Sequence, residues 1–249
     1  MTFAIISDIH SNLEALNAVL EEIAHLPVEV IYCLGDIVGY GPDPDECVKE
    51  IFSRCRAVIR GNHDKAVAGL IDLEWFNRVA REAALWNRKN ASPETIERLT
   101  ELPKGPVALE EGIVICHGTP TDEDQYMLDS SAVDGSFGWM DSQSPAPLCC
   151  FHGHSHLPMV ISRGPDSKTA RVHRDGKELV MERGGSYLIN PGSVGQPRDG
   201  NPRASFGIFN SSSLAYRNVR VSYQIKETQR KILEAGLPDE LAWRLGEGR

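Results

Sequence analysis

Short apolar runs, each followed by a small polar cluster, recur along this chain. Runs of this length, rich in β-branched residues and bounded by glycine, predict buried β-strands. The polar clusters that follow them are Asp8-Ile9-His10, Gly35-Asp36, Gly61-Asn62-His63-Asp64, Cys116-His117-Gly118 and Gly153-His154-Ser155-His156. Because ligands of open α/β sheets bind beyond the carboxyl ends of the strands, these clusters indicate a common site.

The first part of the chain alternates between strand and helix patterns. Strands are expected at 3–8, 29–34 and 56–60. A helix capped by Ser11 or Asn12 would connect the first two, and a helix from about Pro44 to Arg54 would connect the next two. Connections of this length require parallel strands, so the pattern predicts a βαβαβ beginning.

The later part of the chain follows a different pattern. Two helices are expected within 72–101, the second beginning at Ser92-Pro93, and one or two short helices within 227–246. From residue 106 onward, short strands predominate, and Asp175-Gly176 lies between two of them as a strong hairpin signal. Parallel strands followed by hairpins favour one domain over residues 1–249, built as a two-sheet sandwich with helices outside.

The spacing within the polar clusters indicates metal binding. Asp8 and His10 are two residues apart, as are His154 and His156. Residues two apart on a strand share a face, so each pair could hold one ion. The alternative, that short polar side chains only cap turns or satisfy core hydrogen bonds, explains single residues better than the whole set. We therefore predict a polynuclear metal site.

Composition excludes several classes of function. The chain has 249 residues and a formal net charge of −9, without a run of basic residues, which argues against binding to duplex nucleic acid. An apolar run of about 18 residues and a secretory signal pattern are both missing, so a membrane partner is not expected. Six cysteines without framework spacing predict reduced thiols and a cytoplasmic location. The sequence indicates no particular oligomeric state.

The ordered set D-x-H, G-D, G-N-H-D, H and G-H-x-H resembles the calcineurin-like metallophosphoesterase superfamily. The segments GDIVGYGPDP and NPGSVGQPRDGNPRASF further resemble a bacterial and archaeal branch related to diadenosine tetraphosphatases and small phosphodiesterases. The resemblance extends over residues 1 to about 225. It implies an α/β (α+β) fold, namely a four-layer αββα sandwich of two mixed β-sheets flanked by helices.

The same resemblance implies a cofactor and a reaction. Two divalent transition-metal ions, drawn from Mn, Fe, Zn, Co or Ni, would share Asp36. The first ion would be held by Asp8, His10, Asp36 and His156, and the second by Asp36, Asn62, His117 and His154. Two ions about 3.5–4 Å apart can clamp a phosphoryl group and supply a bridging hydroxide. The expected activity is hydrolysis of a small phosphoester, either a phosphodiester or a nucleotide.

Four further residues are candidates for catalysis or substrate binding. His63 follows Asn62 on what we take as an extended segment, pointing away from the ions, and could protonate the leaving oxygen or stabilise charge. Asp64 could hold the His63 tautomer or cap the following helix. Asn12 and Arg60 could bind substrate, the alternatives being a helix N-cap and a scaffold salt bridge respectively.

The second cluster departs from the pattern that the resemblance implies. Diadenosine tetraphosphatases and Ser/Thr protein phosphatases usually continue it as GDxxDRG, whose arginine meets the substrate phosphate, whereas Gly39 and Tyr40 stand at those positions here. Arg198 and Arg203 could reach a second phosphate, or be simply solvated. Alternative functions are a nuclease or protein phosphatase of the superfamily, and a non-catalytic scaffold. The presence of His10 and His63 favours catalysis.

The segment 72–101 follows the GNHD cluster closely. We expect it to form one wall or lid of the substrate pocket without contributing a metal ligand, or else to be an ordinary outer helix pair. Its basic residues could face a phosphate-bearing ligand: Arg78, Arg81, Arg88 and Lys89. Its large aromatic residues are expected to pack rather than to stack on a base: Trp75, Phe76 and Trp86.

Overall fold

The computed structural model describes residues 1–109, 112–167, 169–173 and 178–249. Within these ranges the strands are β1 (Thr2–Ile6), β2 (Val30–Cys33), β3 (Ala57–Val58), β4 (Val107–Ala108), β5 (Ile113–Ile115), β6 (Cys149–Phe151), β7 (Met159–Arg163), β8 (Arg171–His173), β9 (Leu179–Val180), β10 (Ser186–Asn190), β11 (Ala204–Asn210) and β12 (Ala215–Val221). The helices are α1 (Leu13–Ala24), α2 (Pro44–Arg54), α3 (Asn62–Ala68), α4 (Arg78–Asn90), α5 (Pro93–Glu101), α6 (Ser130–Ser142), α7 (Ile225–Glu234) and α8 (Asp239–Glu247).

The strands form two mixed sheets of six strands each. The first has the order β3-β2-β1-β11-β12-β9 and the second β4-β5-β6-β10-β7-β8. Strand β1 pairs in parallel with β2, and β2 with β3, which confirms the predicted βαβαβ beginning. Helix α1 begins after Asn12, whose side-chain oxygen accepts the Ala15 N–H at 3.1 Å, and α2 has its predicted bounds.

Strand β1 is buried on both faces, which explains the layered architecture. Phe3 and Ile5 belong to a cluster that includes Phe151 and Phe209, where the two sheets face each other. Ala4 and Ile6 point the other way and pack with apolar residues of α1 and α2. The outer face of the second sheet packs against α6. Alternating side chains therefore place each sheet between the other sheet and helices, and the predicted αββα sandwich is confirmed.

Two helices were not predicted. Helix α3 begins at Asn62, directly after β3, where we had expected an extended segment. Helix α6 contains two glycines and four serines, which have weak helix propensity, yet its buried side chains recur at helical spacing. The predicted hairpin turn at Asp175-Gly176 lies outside the described residues.

None of the helices in the described part of the chain has the length and apolar character needed to span a bilayer.

Candidate metal centre

The loops after β1 and β2 lie against each other and bring their polar residues together. The Asp8 N–H donates to Gly35 O at 3.0 Å, and the His10 N–H donates to Asp36 O at 3.0 Å. These contacts hold the two loops at one edge of the first sheet, beside the loops that follow β5 and β6 in the second sheet.

Most of the predicted ligands lie in a left-handed backbone conformation rather than on strands. The φ angles are 55° for Asp8, 51° for His10, 52° for Asp36, 66° for His154 and 59° for His156. Left-handed φ is uncommon for residues other than glycine, and such strain concentrates at functional sites. The argument that each pair shares one face of a strand was therefore wrong in its geometry, because tight turns direct these side chains inward.

One group of donor atoms gathers side chains from three loops. Asp8, His10, Asp36 and His156 are buried and each offer one atom, all within 4.8 Å of one another. His156 Nε2 lies 3.1 Å from His10 Nε2 and 3.5 Å from Asp8 Oδ1. His10 Nε2 lies 3.7 Å from Asp36 Oδ2. These spacings could surround a single cation.

A second group of donors shares Asp36 with the first. Asp36, His117 and His154 offer atoms within 4.8 Å of one another. His117 Nε2 lies 3.3 Å from Asp36 Oδ2 and 3.2 Å from Asn62 Oδ1, so the asparagine oxygen adjoins this group. The structure therefore brings together all seven predicted ligands in two groups that meet at one carboxylate.

Backbone carbonyls fix the orientation of the imidazole rings. The Nδ1 atoms of His10, His117 and His156 lie 3.2, 2.8 and 2.6 Å from the carbonyl oxygens of Val38, Leu34 and Gln196. Since a carbonyl only accepts, each Nδ1 carries the hydrogen and Nε2 faces the centre. His154 is turned the other way, because its Nε2 donates to Asp124 O at 3.0 Å. Such outer contacts typically orient metal-binding histidines.

The donor set fits divalent transition metals. With Nδ1 of both rings donating to carbonyls, neutral His10 and His156 present the lone pairs of Nε2 to each other at 3.1 Å. Two lone pairs at this distance repel unless a cation or a proton lies between them. Imidazole and carboxylate donors without thiolate suit Mn, Fe, Zn, Co or Ni.

Burial and mutual charge shift the pKa values of these groups. Burial raises the pKa of Asp8 to about 6 and lowers the pKa of His10 and His156. Burial also acts to raise the pKa of Asp36, but the nearby histidines, His117 foremost, outweigh it and the pKa falls. The Asp36 charge likewise outweighs burial at His117 and raises its pKa to about 10. A cation bound here would have to displace the His117 proton.

His63 lies beside the two groups, on the first turn of α3. Its N–H donates to Asp36 Oδ1 at 2.8 Å, and its ring lies 4.4 Å from the Tyr40 ring and 4.9 Å from that of His10. Its Nδ1 is buried without a hydrogen-bond partner among the described residues. Burial lowers the pKa of His63 to about 4 against the opposing charge of Asp36. The ring is therefore neutral at pH 7, not the imidazolium we had expected.

Asp64 caps a loop and a helix. Its carboxylate accepts the N–H groups of Asp36 at 2.8 Å, Ile37 at 2.8 Å, Val38 at 3.2 Å and Gly61 at 2.9 Å. Burial raises the pKa of Asp64 to about 7, and the N–H donors oppose the shift. Both oxygens are thus occupied by backbone groups. The structure favours the capping role over contact with the His63 ring.

The two predicted substrate-binding residues have other partners. Asn12 accepts the Ala15 N–H, and its Nδ2 donates to Gly195 O at 2.8 Å. Arg60 donates to both carboxylate oxygens of Glu123 at 3.3 Å. An N-cap and a scaffold salt bridge therefore describe these residues, and we correct their assignment to substrate binding.

The segment after α3 borders a cavity of about 520 Å³ that opens onto the centre. Asn62, His63 and His154 line it from the centre, and the turn before α4 lines it from the opposite side with Trp75 and Phe76. The basic residues of α4 do not line it. Arg78 pairs with Glu82 and Glu240, and Arg81 donates to backbone carbonyls, so the expectation that they face a phosphate was wrong.

Arg198 is the site residue that the sequence indicated most weakly. Its guanidinium lies 5.9 Å from the Tyr40 ring centroid, and a terminal nitrogen lies 3.5 Å from the Tyr40 hydroxyl. In the described part of the chain it forms no ion pair, and its Nε is buried without a partner. A second guanidinium, that of Arg244 in α8, lies 6.0 Å from the same ring, and no sequence signal pointed to it.

Comparison with known proteins gives consistent results. The model of the calcineurin-like phosphoesterase superfamily domain matches residues 1–213. The uncharacterized protein MJ0912 of Methanocaldococcus jannaschii is 42% identical over 99% of this chain and 98% of its own. Phosphodiesterase YfcE of Escherichia coli is 25% identical over 84% of this chain and 87% of its own. A metallophosphoesterase structure from Sphaerobacter thermophilus is 38% identical, with a TM-score of 0.84 over 100% of this chain and 99% of that one.

Proposed function

Because the chain belongs to the calcineurin-like phosphoesterase superfamily, as its motifs predicted, we propose that it hydrolyses a small phosphodiester or nucleotide at a dinuclear metal centre. The observation that carries this proposal is the pair of buried donor groups that meet at Asp36. Two mutually repelling cations need a shared anion between them, and Asp36 is the one carboxylate common to both groups.

We assign the ligands as the two groups stand. Asp8, His10, Asp36 and His156 would hold one ion, and Asp36, Asn62, His117 and His154 the other. Two divalent ions bound there would polarise the phosphoryl oxygens and supply a nucleophile at neutral pH. The charge of the two ions exceeds that of Asp8 and Asp36, so the centre would attract an anionic ester despite the net charge of −9.

The remaining groups act on the substrate. His63 lines the cavity beside both donor groups and is the side chain placed to donate a proton or hydrogen bond to the leaving oxygen. An anionic phosphoester beside the ring would oppose the effect of burial and raise the pKa of His63. Arg198, which lacks a carboxylate partner among the described residues, is placed to orient the phosphoryl group. Asp64 holds the Asp36 loop through backbone N–H groups and takes no proton.

A diester preference is part of the proposal. The name of the Escherichia coli relative, phosphodiesterase YfcE, supports it, as does the lack of an arginine at position 40. We also propose a cytoplasmic location with a small phosphoester as the partner, which is consistent with six free cysteines.

Metal reconstitution tests the proposed function. Protein stripped with a chelator and reloaded separately with Mn, Fe, Zn, Co, Ni or Mg would be assayed on bis-p-nitrophenyl phosphate and p-nitrophenyl phosphate. We expect two ions per chain by elemental analysis and hydrolysis only after reloading. Asp36→Asn keeps an acceptor for the His63 N–H, and it should bind at most one ion and lose turnover. A single ion in the wild type, or full activity in Asp36→Asn, would contradict the proposal.

A further inference from the structure

The cavity beside the centre has an unusual combination of exposed aromatic rings. Trp75 is 94% exposed and Tyr126 is 44% exposed, although both line the cavity. Tyr126 lies parallel to His154, with 3.9 Å between ring centroids and 16° between planes. Among the described residues, Trp75 has no ring partner or hydrogen bond. Packing therefore does not explain the position of Trp75, contrary to the sequence expectation.

The charge on the cavity wall restricts what could bind there. The charged lining residues besides the site histidines are acidic, namely Asp72 and Asp124, and the described lining includes no lysine or arginine. A second phosphate would be repelled from this wall. A neutral planar ring that carries N–H donors would be accepted, because Asp72 offers an exposed acceptor.

The size of the cavity agrees with a ring-bearing ligand. Its volume of about 520 Å³ greatly exceeds the space that a phosphate needs and lies within the range of small-molecule sites. Asn62, His63 and His154 form its inner end, so a phosphoryl group at the centre would leave the rest of the substrate in the cavity.

From these observations we propose that the cavity binds the nucleobase of a nucleoside phosphoester, between Trp75 and the stacked Tyr126–His154 pair. This inference rests on the proposed function, since it takes the phosphoryl group to lie at the metal centre. Exocyclic N–H groups of the base distinguish it from a plain aryl ester, and Asp72 is the acceptor that they would meet. Stacking of a base on an aromatic side chain is typically lost as about a fivefold to hundredfold weaker affinity on alanine substitution.

Binding of matched ligands tests the inference without turnover. Adenosine 5′-phosphate and ribose 5-phosphate differ only in the base, and their Kd values on Mn-reconstituted protein would be measured by calorimetry. We expect the base to tighten binding at least fivefold in the wild type. Trp75→Ala should remove most of that difference while changing the affinity for ribose 5-phosphate less than twofold, and Trp75→Phe should retain most of it.

Control measurements separate this inference from others. Trp243 is 62% exposed on α8 and does not line the cavity, so Trp243→Ala should leave both affinities unchanged. Equal Kd values for the two ligands in the wild type would overturn the inference. Tighter binding of phosphotyrosine than of adenosine 5′-phosphate would also overturn it, in favour of an aryl ester. Loss of hydrolysis in the metal panel with a preserved base contribution would instead contradict the proposed function alone.

Discussion

Gly39 allows the His63 ring to approach the Asp36 loop, and Gly39→Ala is the sharpest perturbation that the structure offers. Gly39 has φ +93°, and a Cβ added there would lie 2.5 Å from His63 Nδ1 and 3.0 Å from His63 Cγ. Ordinary contact needs about 3.5 Å, so the ring would have to move by about 1 Å. Tyr40 and Phe76 lie against the same ring at 4.4 and 5.0 Å and restrict that movement.

Two separate losses should follow from Gly39→Ala. Left-handed backbone costs a residue with a Cβ about 1–2 kcal/mol, which lowers Tm by about 2–8 °C in a chain of this size. A catalytic group misplaced by about 1 Å can cost about a hundredfold in rate. We therefore expect a lower Tm by thermal unfolding, a kcat reduced by about a hundredfold on bis-p-nitrophenyl phosphate, and an unchanged content of two ions.

A matched glycine isolates the backbone effect. Gly236 has φ +69°, and a Cβ there would meet nothing within 4 Å. Gly236→Ala should lower Tm by a similar backbone amount and leave kcat unchanged. In the double variant Gly39→Ala/His63→Ala, the ring is gone and only the contact of 3.1 Å with His63 Cβ remains, so kcat should be no lower than in His63→Ala. A Gly39→Ala protein with wild-type kcat would refute the reasoning.

Three further substitutions test the remaining groups. His63→Ala should keep both ions and lose about 10²–10⁴-fold in rate on an ester with a poor leaving group, and less with p-nitrophenolate, which hardly needs a proton; loss of an ion would make His63 a ligand. Arg198→Ala should raise KM for bis-p-nitrophenyl phosphate about tenfold, as expected for loss of a charged hydrogen bond, with partial recovery in Arg198→Lys. Arg203→Ala is its control, because that side chain is exposed and bonds to Asn201, and an equal effect there would argue against a specific role for Arg198. Lys65→Met should lower Tm with kcat retained, since it leaves Glu123, a buried partner of Lys65, with Arg60 alone, and an unchanged Tm would contradict this.

The parts of the fold that the sequence predicted are those with strong local signals. Period-two burial in β1, the Asn12 cap and the proline at the start of α2 each act over a few residues, so the βαβαβ beginning and both helix bounds could be predicted. Helix α6 could not, because its apolar residues are few and its glycines and serines disfavour a helix. Tertiary packing against the second sheet, through Phe137 and Met140, supplies what its propensity lacks.

The candidate site was predictable in membership and not in geometry. Polar clusters at strand ends were enough to indicate which side chains would meet. The left-handed backbone of Asp8 and His10 could not be foreseen, because aspartate and histidine carry no glycine-like signal for it. The role of Asp64 was likewise hidden, since its partners are backbone N–H groups that no side-chain motif reports. Arg198 lies 158 residues from Tyr40 in sequence, so only the fold brings them together.

The departure at Gly39 and Tyr40 takes on a different meaning once the fold is known. At the sequence level it was the loss of an acidic residue and an arginine. In the structure, Gly39 leaves room for the His63 ring, and Tyr40 packs against His63 and His10 on one side while Arg198 and Arg244 lie over its ring. A side chain with a Cβ at position 39 would displace His63, and an arginine at position 40 would place a third guanidinium beside those two. We infer that these two positions and Arg198 form one interdependent arrangement, in which the phosphate-orienting charge comes from the loop after β10 rather than from the loop after β2.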